Sequence, residues 1–278
     1  MALDQVDVDE QEKQMSFLDH LEELRWHIIR SVVVILILSI VAMINYKVIF
    51  DEIIFGILQP DFPLYTWFCK LSYYLYDSDK ICMQTPSIKI QNISVSGTFT
   101  YFMTVGFVAG FVAGIPYVLW EFWRFLKPAL KPAEQKKTTG VVLTTSFLFL
   151  LGVAFGYYVL TPLSINFFIN FQPSQFITNE WTLASYTSIV TTLPLASGLV
   201  FELPLIIYFL AKLGLISSEV LKKYRRHAFL VILILCAIIT PPDVASQILM
   251  TIPVYMLFEI GISLAQRVEK QRIRENEI

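Results

Sequence analysis

Glu202 stands in the stretch SGLVFELPL (197–205), the only acidic or basic residue of an apolar run from Leu193 to Ala211, with Pro204 two positions further on. A charged carboxylate at the centre of a membrane helix costs about 3 kcal/mol on insertion scales, so such a group faces protein or water. Pro204 withdraws the donor that the Val200 carbonyl would use, and Pro194 does the same to Val190. Carbonyls freed at membrane depth need partners in protein or water. Two readings stay open for Glu202. It makes an interhelical hydrogen bond, to Gln247 or Thr240, or it forms a polar notch that helps to move or dock something. Glu259 and Asp243 are further acids of the apolar C-terminal third, Asp243 directly after Pro241 and Pro242.

A second set of acids lies outside the apolar runs. Glu22 and Glu23 belong to SFLDHLEELRWHIIR (16–30), where Phe17, Leu21, Leu24 and Ile28 form an apolar stripe at helical spacing. Glu134 is the one acid of RFLKPALKPAEQKK (124–137). Carboxylates among cationic residues stay ionised and can take a guanidinium through paired bonds. The plain alternatives are acids favoured by a helix dipole and, for Glu134, a solvated helix start. His20, His27 and His227 read as solvated interfacial residues, and His20 and His27 are too far apart along one helix to share a metal. No GxSxG, HExxH or phosphate-cradling glycine loop occurs. Catalysis, a metal and a cofactor are therefore not expected.

These acids need helices to carry them. With 55% hydrophobic and 16% charged residues, the chain reads as an all-α integral membrane protein. A hydrocarbon layer of about 30 Å takes about 20 apolar residues, and six segments answer to it: 27–45, 99–122, 139–160, 188–211, 227–241 and 247–265. Lys and Arg number five in 123–139, five in 212–226 and four in 267–274, with none in 161–183 or 241–247. That alternation places both termini in the cytoplasm. Residues 1–15 form an acidic tail with no cleavable leader pattern, 16–266 the six-helix domain, and 267–278 a cytoplasmic tail. Residues 46–98 form a long external loop, in which Cys69 and Cys82 could close a disulfide or remain two thiols. Gly106, Gly110 and Gly114, and likewise Gly152 and Gly156, recur every fourth residue, as close helix packing in lipid requires. The last two spans are too short for an ordinary bilayer, so the hairpin either thins the bilayer locally, the favoured reading, or stops short of the far side.

The segments FLDHLEELRWHII, IPYVLWEFWRFLKPALKPAEQ, SGLVFELPL and TPPDVASQILMTIPVYMLFEIGI, in this order, resemble the TatC family, the membrane core of the twin-arginine protein translocase. The resemblance runs from about residue 15 to 266. It implies six transmembrane helices with both termini inside, arranged as a concave shell with two short final helices, in a bacterial inner membrane. It also implies a signal-peptide receptor and scaffold that exports folded proteins on the protonmotive force. By the same resemblance Glu23 and Glu134 match the acids that recognise twin-arginine signal peptides, and Arg25 and Phe125 match motif positions around them. Glu202 matches the intramembrane acid near partner subunits, and Thr240, Gln247 and Asp243 match positions around the last hairpin. The implied partners are single-span TatA-type and TatB-type subunits, signal peptides, membrane lipid and further copies of the chain, with no nucleic acid. His27 departs from the family pattern, standing where a basic residue is common. The competing class is a secondary transporter of a small solute with Glu202 as coupling site, which the lack of a twin Pro-broken helix in the first half disfavours.

Overall fold

A computed structural model of the chain describes residues 17–76, 82, 88–126, 138–174, 176 and 179–276. Among these, five helical stretches are long and apolar enough to cross a membrane: Glu22–Ile44, Gly97–Leu126, Gly140–Asn170, Leu183–Lys212 and Val244–Gln271. The first belongs to helix α1 (Phe17–Ile44), and the second is α3 (Gly97–Leu126). The third joins α4 (Thr138–Phe155) to α5 (Thr161–Asn170) through a π-helical segment, Gly156–Leu160. The fourth joins α6 (Leu183–Phe201) to α7 (Leu203–Lys212).

After α8 (Ser218–Lys223) comes the sixth apolar helix, α9 (Arg225–Ile239), of only 15 residues. At 1.5 Å per residue it covers roughly 22 Å, short of the hydrocarbon thickness. The final helix α10 (Val244–Asn276) has 33 residues. Its apolar part ends near Ala265, and the polar remainder of 267–276 continues the same helix where the sequence suggested a separate tail.

Close approach of α1 and α3 organises the N-terminal half. A Cβ on Gly106 would meet Met43, one on Gly110 the backbone of Ser39, and one on Gly114 the Ile35 side chain. Each step of four up α3 is a step of four down α1, so the helices are antiparallel with their register fixed by glycines. Outside that seam α1 is apolar and uncovered, with Val33, Ile37, Ile40 and Ile44 all exposed. Such a surface suits lipid.

The segment 46–98 is more than a loop. It holds a π-helical turn at Val48–Ile54, a 3-10 turn at Gly56–Leu58, helix α2 (Pro63–Tyr76) and strand β1 (Ile90–Gln91). Strand β1 pairs in parallel with β2 (Trp181–Thr182) just before α6. The Tyr157 and Tyr186 hydroxyls donate to the Ile53 and Ile54 carbonyls at 2.6 Å each, so aromatic side chains satisfy backbone acceptors where the π-turn leaves them open. Cys69 and Cys82 are bonded as a disulfide. A cleft of about 570 Å³ opens between the π-turn and α3, α4 and α6, lined by Ile53, Val105, Ala109, Val153 and Val190 with Glu52 at its edge.

Candidate functional site

The charged end of α1 meets the end of α3 at a pair the sequence did not announce. Glu121, between aromatic residues in WEFWRFL, is 1% exposed, and its Oε2 contacts Nδ1 of His27, which is 6% exposed. Its Oε1 accepts from the Tyr117 hydroxyl at 2.9 Å, one helical turn earlier. Both carboxylate oxygens therefore have donors, which is what a buried acid requires. His27 is thus a buried helix–helix link and not the solvated interfacial residue expected.

Around this pair lie the predicted arginine-reading residues that the structure describes. Glu23 stands one turn before His27, its Oε1 at 3.9 Å from His27 Nε2. Its Oε2 is enclosed and has no hydrogen-bond partner among the described residues. Phe125 packs edge-on against the His27 ring, centroids 6.0 Å apart. Arg25 is exposed, its guanidinium 5.7 Å from the centroid of the Trp26 ring. Glu134 lies outside the described residues. Glu23, Phe125 and the unforeseen His27–Glu121 pair are brought together. The signal that could have found Glu121 is its place four residues after Tyr117 on a helix whose one other charged residue is Arg124.

Glu202 occupies a break between helices. It has φ −76° and ψ −1°, closing α6 and preceding α7, whose first turn holds Pro204. A proline fits there because its missing N–H falls among donors that lack intrahelical partners. The Glu202 N–H turns back to the Leu199 carbonyl at 3.2 Å, and the Glu202 carbonyl accepts from Leu205 and Ile206. Its side chain is 8% exposed, and neither carboxylate oxygen has a hydrogen-bond partner among the described residues. The expected alternative of a bond to Gln247 or Thr240 is therefore overturned. Those two groups are engaged elsewhere, Thr240 Oγ1 donating to the Cys236 carbonyl at 2.9 Å and Gln247 Nε2 to the Leu233 carbonyl at 3.4 Å.

Asp243 is buried and caps α10. Its Oδ1 accepts from the Ser246 N–H at 2.6 Å, three residues on, as an N-cap side chain does. Its Oδ2 accepts from Ser164 Oγ at 3.3 Å, and Ser164 and Ser246 share a bond of 2.9 Å. Thr240, Asp243 and Gln247 thus gather at the α9–α10 hairpin, where Asp243 and Ser246 tie it to α5 through Ser164, while Thr240 and Gln247 bond to carbonyls of α9. Glu259 on α10 pairs with Arg225 at 2.8 Å and accepts from Tyr255.

Comparison with known proteins gives the family of the chain. A family model described as "Sec-independent protein translocase protein (TatC)" matches residues 19–253. The chain belongs to the TatC family. The translocase protein TatC of Blattabacterium sp. subsp. Periplaneta americana is 40% identical over 263 residues, covering 94% of this chain and 99% of the relative. That of Carboxydothermus hydrogenoformans is 34% identical over 260 residues, covering 93% and 96%. Two crystal structures of the twin-arginine translocase receptor TatC superpose with TM-scores of 0.64 and 0.69 at 28% and 30% identity. They cover 90% and 88% of this chain, and 99% of each solved chain is matched. This TatC-family chain is accordingly a multi-pass membrane subunit of the twin-arginine translocase that works with other Tat subunits.

Proposed function

We propose that this chain is the signal-peptide receptor and scaffold of its translocase, reading consecutive arginines at the cytoplasmic face of a bacterial inner membrane. Both termini lie inside in this reading, as the Lys and Arg distribution requires. The observation that carries it is Glu23. One of its oxygens is enclosed with no hydrogen-bond partner among the described residues, one turn before His27 at the end of the first apolar helix. A guanidinium supplies paired N–H donors in a plane, which an ammonium cannot. Glu134 provides the second acid, and Arg25 borders the site.

Glu202 is the docking point for single-span TatA-type and TatB-type subunits in this reading, because a buried carboxyl without a donor accepts one from a partner helix. Thr240, Asp243 and Gln247 act through the hairpin they brace. Further copies of the chain assemble in the complex, and the protonmotive force supplies the energy, about 2.3 kcal/mol per charge crossing 100 mV.

The test is crosslinking of the purified full-length protein to a peptide bearing Arg-Arg, repeated with Lys-Lys and with Glu134→Lys. Capture is expected to fall at least tenfold in both comparisons. Capture indifferent to both changes overturns the arginine reading.

A further inference from the structure

The cleft between the π-turn and α3, α4 and α6 continues into a polar recess. This second space, of about 190 Å³, shares Glu52, Tyr157 and Tyr158 with the cleft and has Asp61 and Phe62 as further walls. Three rings border it. The Phe62 ring lies 5.8 Å from each of Tyr157 and Tyr158, whose centroids are 4.9 Å apart, and Tyr157 is fixed by its bond to the Ile53 carbonyl. Glu52 and Asp61 are both exposed, and neither makes an ion pair among the described residues.

Depth gives the two spaces a direction. Tyr158 stands 20 residues beyond Thr138 on the third span, roughly 30 Å along a helix at 1.5 Å per residue. That matches the hydrocarbon thickness, so the recess lies at the external edge of the membrane in the topology that the Lys and Arg distribution requires. From there the cleft descends, its walls running from Tyr157 back to Leu150 and from Val105 to Ala113. Seven to eight helical residues carry it about 10–12 Å toward the membrane centre.

We propose that cleft and recess together bind an ammonium-headed phospholipid of the outer leaflet. Its acyl chain fills the cleft, whose volume of about 570 Å³ and apolar walls are those of a small-molecule site. Its ammonium sits between the Glu52 and Asp61 carboxylates, against aromatic rings that attract a cation within about 6 Å of their centroids. Thr191, the hydroxyl of the inner walls, is committed to the Thr187 carbonyl at 2.7 Å. An extended peptide there would bring carbonyls in need of donors, whereas an acyl chain needs none. An anionic headgroup would meet two unpaired carboxylates and be repelled. The site is independent of the arginine reading, and its test reads lipid, not signal peptide.

The experiment is native mass spectrometry of the detergent-purified full-length protein with equal amounts of phosphatidylethanolamine, phosphatidylcholine and phosphatidylglycerol of identical acyl chains. The two ammonium lipids are expected to be retained at least fivefold over phosphatidylglycerol. Glu52→Gln with Asp61→Asn, which keeps the shape of the recess and removes its charge, is expected to bring that ratio below twofold. Ala109→Phe, on the inner wall, is expected to cut retention of the ammonium lipids at least threefold. A phosphatidylethanolamine with a diazirine on its acyl chain should crosslink to residues 105–113 and 150–154. Equal or better retention of phosphatidylglycerol by wild type overturns the proposal, and so does a preference that survives in the uncharged double variant. Crosslinks confined to the uncovered face of α1 overturn the placement of the chain in the cleft.

Discussion

His27 on α1 and Glu121 on α3 are in direct contact across 94 residues of chain, and both are buried. Removing one member of a buried hydrogen-bonded pair leaves the other without a partner, which costs about 1–3 kcal/mol. Glu121→Ala is therefore expected to lower the melting temperature of the detergent-solubilised protein sharply. Glu121→Gln, which still offers an acceptor, is expected to lose less than half as much. Equal melting of all three proteins would show that the contact contributes nothing.

Gly110 tests the helix seam. A side chain there enters the backbone of Ser39, which cannot swing aside as a side-chain tip can. Gly110→Ala should destabilise by about 1–3 kcal/mol, the usual range for overpacking. Gly140→Ala, where a Cβ meets nothing within 4 Å, is the matched control and should melt as wild type or slightly higher.

The Cys69–Cys82 bond closes a separation of 13 residues in the 46–98 segment. Loss of so short a loop constraint costs about 3 kcal/mol in the chain-entropy account. Cys69→Ser is expected to melt earlier than wild type, and reductant should bring wild type down to the level of the variant. Mass mapping without reductant should recover the two cysteines in one linked pair of peptides.

Glu202 separates stability from function. Its carboxyl is buried without a donor among the described residues, so an apolar residue of similar length removes a desolvation penalty of about 1–3 kcal/mol. Glu202→Leu is expected to raise the melting temperature while lowering export of a twin-arginine reporter, and Glu202→Gln to fall between. A variant that is both less stable and fully active would refute the docking role.

Arg225 and Glu259 form the contrasting case, a pair at 2.8 Å with side chains 46% and 34% exposed. Solvent-exposed pairs contribute about 0–1 kcal/mol. Arg225→Ala should leave melting within that range, measured under the same conditions.

What the sequence determined by itself was local. Apolar runs, the spacing of Gly106, Gly110 and Gly114, and the pairing of Glu202 with Pro204 are properties of one helix at a time. They sufficed for the five helices long and apolar enough to cross a membrane, for the close-packed seam and for a break at Glu202. The hydrocarbon layer explains why, since it forces long apolar helices whatever their neighbours are. Only the tertiary structure decided who partners whom. His27 read as solvated until the glycine register carried Glu121 opposite it. Asp243 read as a turn residue until Ser164, 79 positions away, met its carboxylate. Glu202 could have bonded to Thr240 or Gln247, but those side chains turn to backbone carbonyls of α9 instead. The aromatic segment 46–98 gave no apolar period long enough to read, because its structure depends on Tyr157 and Tyr186 reaching in from other helices. A buried polar group is satisfied by whatever the packing brings within about 3 Å of it, and such contacts are set by helix register in space, not by neighbours in the chain.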